Sequence, residues 1–188
     1  MTDLTPMTAL GLQTARVQTH GALTLTEAPD LALALISLRN NAVQPDLKGL
    51  ALPPVGRLSE NGELAAFWMG PDQWMIEARG LGDTGVAHTL KDAAPGCSVT
   101  EQTDGFVAIE VQSNAGGARI RALMGSLVNF DAITFDAGSA ARTGLEHMTV
   151  FVIRRAEDRL ALIGMRSQAR SLWHAVEQAS KRLPEIKL

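Results

Sequence analysis

The sequence predicts an α+β protein made of tandem ferredoxin-like units, with antiparallel sheets whose helices pack on one face. Three observations carry that expectation. The stretch LAAFWMGPDQWMIEARG (64–80) reads as strand, tight turn and strand before a helix. MTVFVIRRAEDRLALIGM (148–165) repeats the arrangement before the last helix, with Trp68 and Val152 at comparable points. These strands are also apolar on both faces. Leu64, Ala66 and Trp68 alternate with Ala65, Phe67 and Met69, and Met148, Val150 and Val152 alternate with Phe151 and Ile153.

Each element follows from local signals. Residues 1–20 read as a flexible lead, and 21–188 as a single domain in halves of about 21–104 and 105–188. ALTLTE (22–27) alternates as a strand. LALALISLR (31–39) reads as a helix with Asp30 as its N-cap. Residues 40–63, rich in Pro, Gly and Asn, form an irregular connection with one short strand at GLALP (49–53). Gly70-Pro71-Asp72 turns a hairpin between 64–69 and 73–79. Asp83 caps a helix to about Ala94, with Val86, Ala87, Leu90 and Ala94 on one face.

A second hairpin is expected between 97–103 and 106–112, turning at Asp104-Gly105. Asn114 caps a helix that turns Ile120, Leu123, Met124 and Leu127 inward. Residues 128–141 carry no clear period. A third hairpin turns at Ala156-Glu157-Asp158. The last helix starts near Ser167 and buries Ala169, Leu172, Trp173, Val176, Ala179 and Leu183. The first half thus reads roughly βαββαβ and the second βαββα.

Strands apolar on both sides need cover on both sides. A tryptophan and a phenylalanine bury ~150–250 Å² each, so at ~25 cal/mol per Å² leaving both wet forfeits roughly 8–12 kcal/mol. Helices of a ferredoxin-like unit cover one face only. The other face meets the second unit, a partner chain, or both.

Composition narrows the function classes. The 188 residues carry a net charge of −3, with 46% apolar and 20% charged residues. These are ordinary globular values, and a basic nucleic-acid face is not the default. Cys97 is the only cysteine, so no intrachain disulfide or multi-thiol metal site forms, and a cytoplasmic protein is expected. No secretory signal is read in MTDLTPMTALGLQ, and no run approaches the ~20 apolar residues of a membrane span.

GLGDTG (80–85) fits G-x-G-x-x-G, with Glu101 at the distance of a ribose-binding carboxylate. Against a nucleotide site, the preceding strand carries Glu77 and Arg79 and is the second arm of a hairpin. The glycines then shape a tight strand-to-helix turn. His20, His88, His147 and His174 offer no helical metal pair, and His174 reads as a partly buried structural residue. Cys97 reads as an inert buried thiol. Glu101, Glu110 and Asp131 read as isolated carboxylates. Gly116-Gly117-Ala118-Arg119 could hold an anion at a helix N-terminus, although close helix–strand contact explains the glycines as well. Arg166, Arg170, Lys181 and Arg182 read as a solvated or partner-facing side. No catalytic, cofactor-binding or metal-ligating residue is assigned.

Several stretches resemble the gamma subunit of heterotetrameric sarcosine oxidase. They are FWMGPDQWMI (67–76), GLALPPVGR (49–57), GGARIRALMG (116–125) with Phe135, Gly138 and 141–143, and GMRSQARSLWHAVEQA (164–179). The resemblance spans roughly 22–183, and departs from the family at VNFDAITF (128–135). It implies a fold similar to the folate-binding part of aminomethyltransferases. It also implies a non-catalytic structural chain in a complex that oxidises sarcosine to glycine. Such a complex produces hydrogen peroxide and passes a one-carbon unit to tetrahydrofolate. FAD, FMN, NAD and tetrahydrofolate would sit on larger alpha and beta subunits, with zinc on a small delta subunit and no cofactor on this chain. Two alternatives stay open: a stand-alone folate-binding or aminomethyl-transfer-like protein, and a nucleotide-binding module using Gly80, Gly82 and Gly85.

Overall fold

Strand alternation dictates where each sheet finds its cover. The computed structural model describes residues 5–39, 42–129, 131 and 134–184. Its elements are β1 (Val17–His20), β2 (Leu23–Glu27), β3 (Ala32–Leu38), β4 (Leu58–Asn61), β5 (Leu64–Gly70), β6 (Gln73–Ala78), α1 (Val86–Ala93) and β7 (Cys97–Glu101). They continue with β8 (Phe106–Ser113), α2 (Gly117–Leu127), β9 (Ser139–Leu145), β10 (Met148–Ala156), β11 (Arg159–Met165) and α3 (Ala169–Arg182). One antiparallel sheet runs β1-β2-β8-β11-β10-β9 and the other β4-β5-β6-β3-β7.

The chain is α+β, with helices on the outer face of each sheet. Leu25, Ile109, Val150, Val152 and Leu162 of the larger sheet pack on Ile120, Leu123, Leu172, Trp173 and Val176 of α2 and α3. Ala34, Ala66 and Ile76 of the smaller sheet pack on Val86 and Leu90 of α1. The inner faces meet each other through Leu33, Phe67, Met75, Phe151, Ile153, Ala161 and Ile163. The two units therefore cover each other, as the two-faced strands require. Phe67 and Phe151 precede the repeat-equivalent Trp68 and Val152, and their ring centroids lie 5.2 Å apart across the seam.

One side of the seam is stitched by backbone. Leu58 donates to the Gly138 carbonyl at 2.8 Å and Ala140 to the Gly56 carbonyl at 2.9 Å. Arg57 adds bonds to Asp136 at 2.7 Å and Ser139 at 3.1 Å. The isolated bridge between Arg57 and Ser139 lies on this same side.

Several local expectations are corrected. Residues 31–39 do not form a helix; β3 lies between β6 and β7, and ladder pairing on both edges overrides the helix propensity of Ala and Leu. No strand occupies 49–53, where Leu47 and Leu50 share only an isolated bridge; β4 comes later. Asn40 and Asn41 of this connection lie outside the described residues. The expected hairpin at Asp104-Gly105 does not form. β7 pairs with β3 and β8 with β2 and β11, so the turn crosses between sheets. β2, expected in the first unit, joins the second unit's sheet. Among its described residues the first unit also has no second helix; residues after β3 cover that face with Leu47, Leu50 and Leu52 instead.

The expected caps Asp83 and Asn114 give way to Gly85 and Gly116, neither with a side-chain cap bond. β9 emerges at the end of the region that had no clear period, where Phe130, Ala132 and Ile133 lie outside the described residues. β1, within the stretch read as a lead, pairs with β2.

Candidate functional site

The seam changes character along its length. Beyond the phenylalanines it holds charge. Glu77 on β6 is fully buried, and the Arg155 side chain on β10 is 3% exposed. Arg155 falls at a β-bulge, where the register shifts between Arg154 and Ala156. Bulges re-aim side chains, and here the guanidinium points at the opposite sheet. Its Nη2 lies 2.8 Å from Glu77 and 2.8 Å from Glu110 of β8, while Nε donates to Glu110 at 2.8 Å. Glu60 of β4 stands 3.8 Å from Arg155 and 2.6 Å from Arg79. Three carboxylates thus surround two guanidinium groups across the two sheets.

Burial raises the Glu77 pKa; Arg155 works in the other direction and Glu110 adds to the rise. The Glu77–Arg155 approach is an ion contact, because both Glu77 oxygens lack an aligned hydrogen bond. Burial also opposes the charge on Arg155, but Glu77 and Glu110 outweigh it and keep the guanidinium cationic.

Two clefts flank the linker between β2 and β3. The larger, about 570 Å³, is lined by Ala9, Glu27, Asp30, Leu33, Asp104 and Arg166, among others. Glu27, buried beneath the N-terminal segment, accepts bonds from the backbone amides of Leu10 at 3.0 Å and Arg16 at 3.3 Å. The smaller, about 320 Å³, touches the charged cluster at Arg79, Glu110 and Arg155, with Thr24, Thr26 and Arg159 on its wall. A third groove of about 400 Å³ lies over Trp68 and Trp74, edged by Pro53, Pro54 and Val55. The Trp74 indole N–H is already spent on the Pro53 carbonyl at 2.8 Å.

The nucleotide fingerprint is occupied by the chain itself. β6 is antiparallel to both neighbours, which is not the parallel setting of a dinucleotide site. Leu81 and Gly82 amides bond the Asp30 carbonyl. A Cβ at Gly82 would fall 2.5 Å from the Pro29 carbonyl oxygen, so glycine is needed for close approach. Glu101 folds back to accept the Ala87 amide at 3.0 Å, taking an anion's place at the start of α1.

Glu157 stands beside the start of α2. Its carboxylate lies 2.7 Å from where a Gly117 Cβ would stand and 3.2 Å from Arg121. Arg119 is buried and donates to the Pro184 carbonyl. Glu101 and Glu110, read as isolated, are thus both engaged. The Asp131 carbonyl accepts the amides of Thr134 and Phe135.

His174 is exposed, against the expectation of partial burial, because it lies off the buried stripe of α3. His88 and His147 are also exposed. His20 lies 3.7 Å from Glu177, which Lys181 reaches at 2.7 Å. Cys97 is buried, and burial pushes its thiol pKa up despite Lys91 and Arg39. Arg166 reaches the Met7 carbonyl at 3.3 Å, and Arg170 and Arg182 are exposed. Among the described residues, no group of three or more His, Cys, Asp or Glu is placed to hold a metal, and no helix is long and apolar enough to cross a membrane.

The sequence reading missed the charged cluster. A signal was present: Glu77 continues the inward-facing set of Phe67 and Met75, and Arg155 that of Phe151 and Ile153. Charge at an inward position of a two-faced strand demands a partner across the seam.

No protein-family model matches the sequence, and no curated protein matches it significantly. Solved structures do. The fold is that of a chain in a heterotetrameric oxidase. That chain belongs to heterotetrameric sarcosine oxidase from Corynebacterium sp. U-96, solved with pyrrole 2-carboxylate. The superposition has a TM-score of 0.70 at 18% identity and covers 90% of each chain. Glycine cleavage system aminomethyltransferase T from Bartonella henselae superposes with a TM-score of 0.62 at 15% identity. The likeness covers 87% of this chain but 47% of that one, so this chain spans about half its length. At these identities the likeness establishes shared fold.

Proposed function

We propose that this chain is a non-catalytic structural subunit, gamma-like, of a cytoplasmic sarcosine-oxidase-like flavoenzyme complex. The observation that carries the reading is end-to-end likeness, 90% of both chains, to a chain of such an assembly. In this reading the larger alpha and beta subunits hold FAD, FMN, NAD and tetrahydrofolate, and the small delta subunit completes the assembly. The complex converts sarcosine to glycine, releases hydrogen peroxide and passes the one-carbon unit to tetrahydrofolate. This chain supplies rigid surface rather than reacting groups. The buried charges of Glu77 and Arg155 face one another at the seam, which suits a scaffold.

The test is copurification. A tagged copy of this chain, expressed from its host, is expected to bring down larger subunits with a bound-flavin absorption spectrum. Recovery of the chain alone at every salt concentration would remove the proposal. The aminomethyltransferase likeness favours a second reading, a stand-alone folate-binding or aminomethyl-transfer-like protein. Isothermal titration with tetrahydrofolate separates the two: the subunit reading expects no heat on the isolated chain, the second a saturable signal.

A further inference from the structure

We propose that the outer face of α3 is a docking surface for an acidic face of one of the larger subunits. The inference rests on reading the chain as a subunit, and adds where it binds and by what chemistry. Charge is unevenly distributed along the chain. Residues 28–105, which build the smaller sheet, hold ten Asp and Glu against five Lys and Arg. Residues 106–188 hold eight against eleven, although the whole chain carries −3. The excess cations therefore belong to the half from β8 onward.

Helix α3 gathers part of that excess on one surface. Its period buries Leu172, Trp173, Val176 and Ala179 against the larger sheet. Arg170, His174, Lys181 and Arg182 are exposed. Spacings of four and seven residues set Arg170, His174 and Lys181 in one row along the helix. The helix exposes no carboxylate. Glu177, its only one, turns inward with its side chain 12% exposed. It lies 2.7 Å from Lys181, 3.7 Å from His20 and 3.9 Å from Arg16. Among the described residues, no ion pair or side-chain hydrogen bond occupies Arg170 or Arg182.

Such a face attracts an opposite field and penalises a like one, which selects both partner and orientation. The chemistry narrows the occupant. α3 exposes no aromatic side chain on which bases could stack, since Trp173 is buried. A second copy offering its acidic half would meet this face head to tail, and that contact propagates into a filament unless its rotation closes a ring. A carboxylate-bearing surface of a different subunit satisfies the face once.

Matched charge reversals in the full chain test the proposal, with the host's purified larger subunits as the probe. Arg170→Glu with Arg182→Glu inverts the docking surface. Glu63→Lys with Asp92→Lys inverts exposed carboxylates of the other half. By biolayer interferometry at physiological salt, the first pair is expected to weaken binding about tenfold or more, and the second less than about twofold. Wild-type binding should weaken as salt rises. Thermal unfolding checks that both variants fold. Carbodiimide coupling of the wild-type mixture needs no variant: the Lys181 amine is expected to join an Asp or Glu of a larger subunit. Equal binding by wild type and the α3 variant overturns the proposal and leaves the subunit reading standing, as does equal loss in both variants. No binding by the wild type removes both. If the α3 variant does not fold, absence of a Lys181 cross-link to a larger subunit overturns the proposal alone. Lys181 cross-links only to a second copy overturn it too, as does α3-dependent retention on RNA or anionic vesicles with subunit binding unchanged.

Discussion

The two ends of the inter-sheet seam solve the same problem by different means. At one end Phe67 and Phe151, with Phe106 6.3 Å from Phe151, fill the space with rings. At the other, Arg155 crosses from one sheet to carboxylates of both. Ring packing is non-directional and tolerates small shifts, whereas the charged end requires each group to stay matched. The apolar end therefore supplies most of the adhesion between units. The charged end fixes their register, because sliding one sheet by a residue would strip Glu77 of Arg155 and leave it buried alone.

The largest effect is expected at the apolar end. Phe151→Ala should cost about 3–5 kcal/mol, measured by urea unfolding, because it removes a ring that touches two others and leaves a cavity. Arg155→Ala should cost about 3 kcal/mol, at the low end for breaking a buried pair, since Glu110 can turn toward water. A loss below about 1 kcal/mol there would mean the charged end contributes nothing to docking.

Gly82→Ala tests the linker between the sheets rather than the seam. With the Pro29 carbonyl in the way, about 1–3 kcal/mol is expected from overpacking. Glu101→Ala, outside the seam, should cost about 1 kcal/mol, the value of a lost helix-start acceptor. The smallest expected quantity sharpens the comparison most. A double-mutant cycle on Phe67 and Phe151 should return about 0.5–1.5 kcal/mol of coupling, whereas a cycle on Phe67 and Glu101 should return none.

The repeat and the two-faced strands made the face-to-face arrangement legible before any coordinates. Trp68 and Val152 do fall on equivalent outer faces, and the residues before them do meet. The hairpin around Gly70-Pro71-Asp72 and the last helix were equally legible, since turn chemistry and a clean 3.6-residue period are local. What could not be read was partnership at a distance. LALALISL carries helix-forming residues, and only its pairing with β6 and β7 makes it a strand. Likewise β7 and β8 look like hairpin arms, but each finds its ladder in a different sheet. Glu101 and Glu110 looked isolated because their partners, Ala87 and Arg155, are brought near by folding alone.

With the inner faces packed on one another, the outer surfaces and sheet edges remain open. Val55 stands exposed beside the groove over Trp68 and Trp74, and Val17 on edge strand β1.

Co-expression of the host's larger oxidase subunits with and without this chain tests the central claim most directly, read by native mass spectrometry alongside sarcosine turnover. The account predicts that one copy of the chain enters a flavin-bearing assembly and that omitting it abolishes the intact complex. An assembly of full mass and full turnover formed without the chain would contradict it.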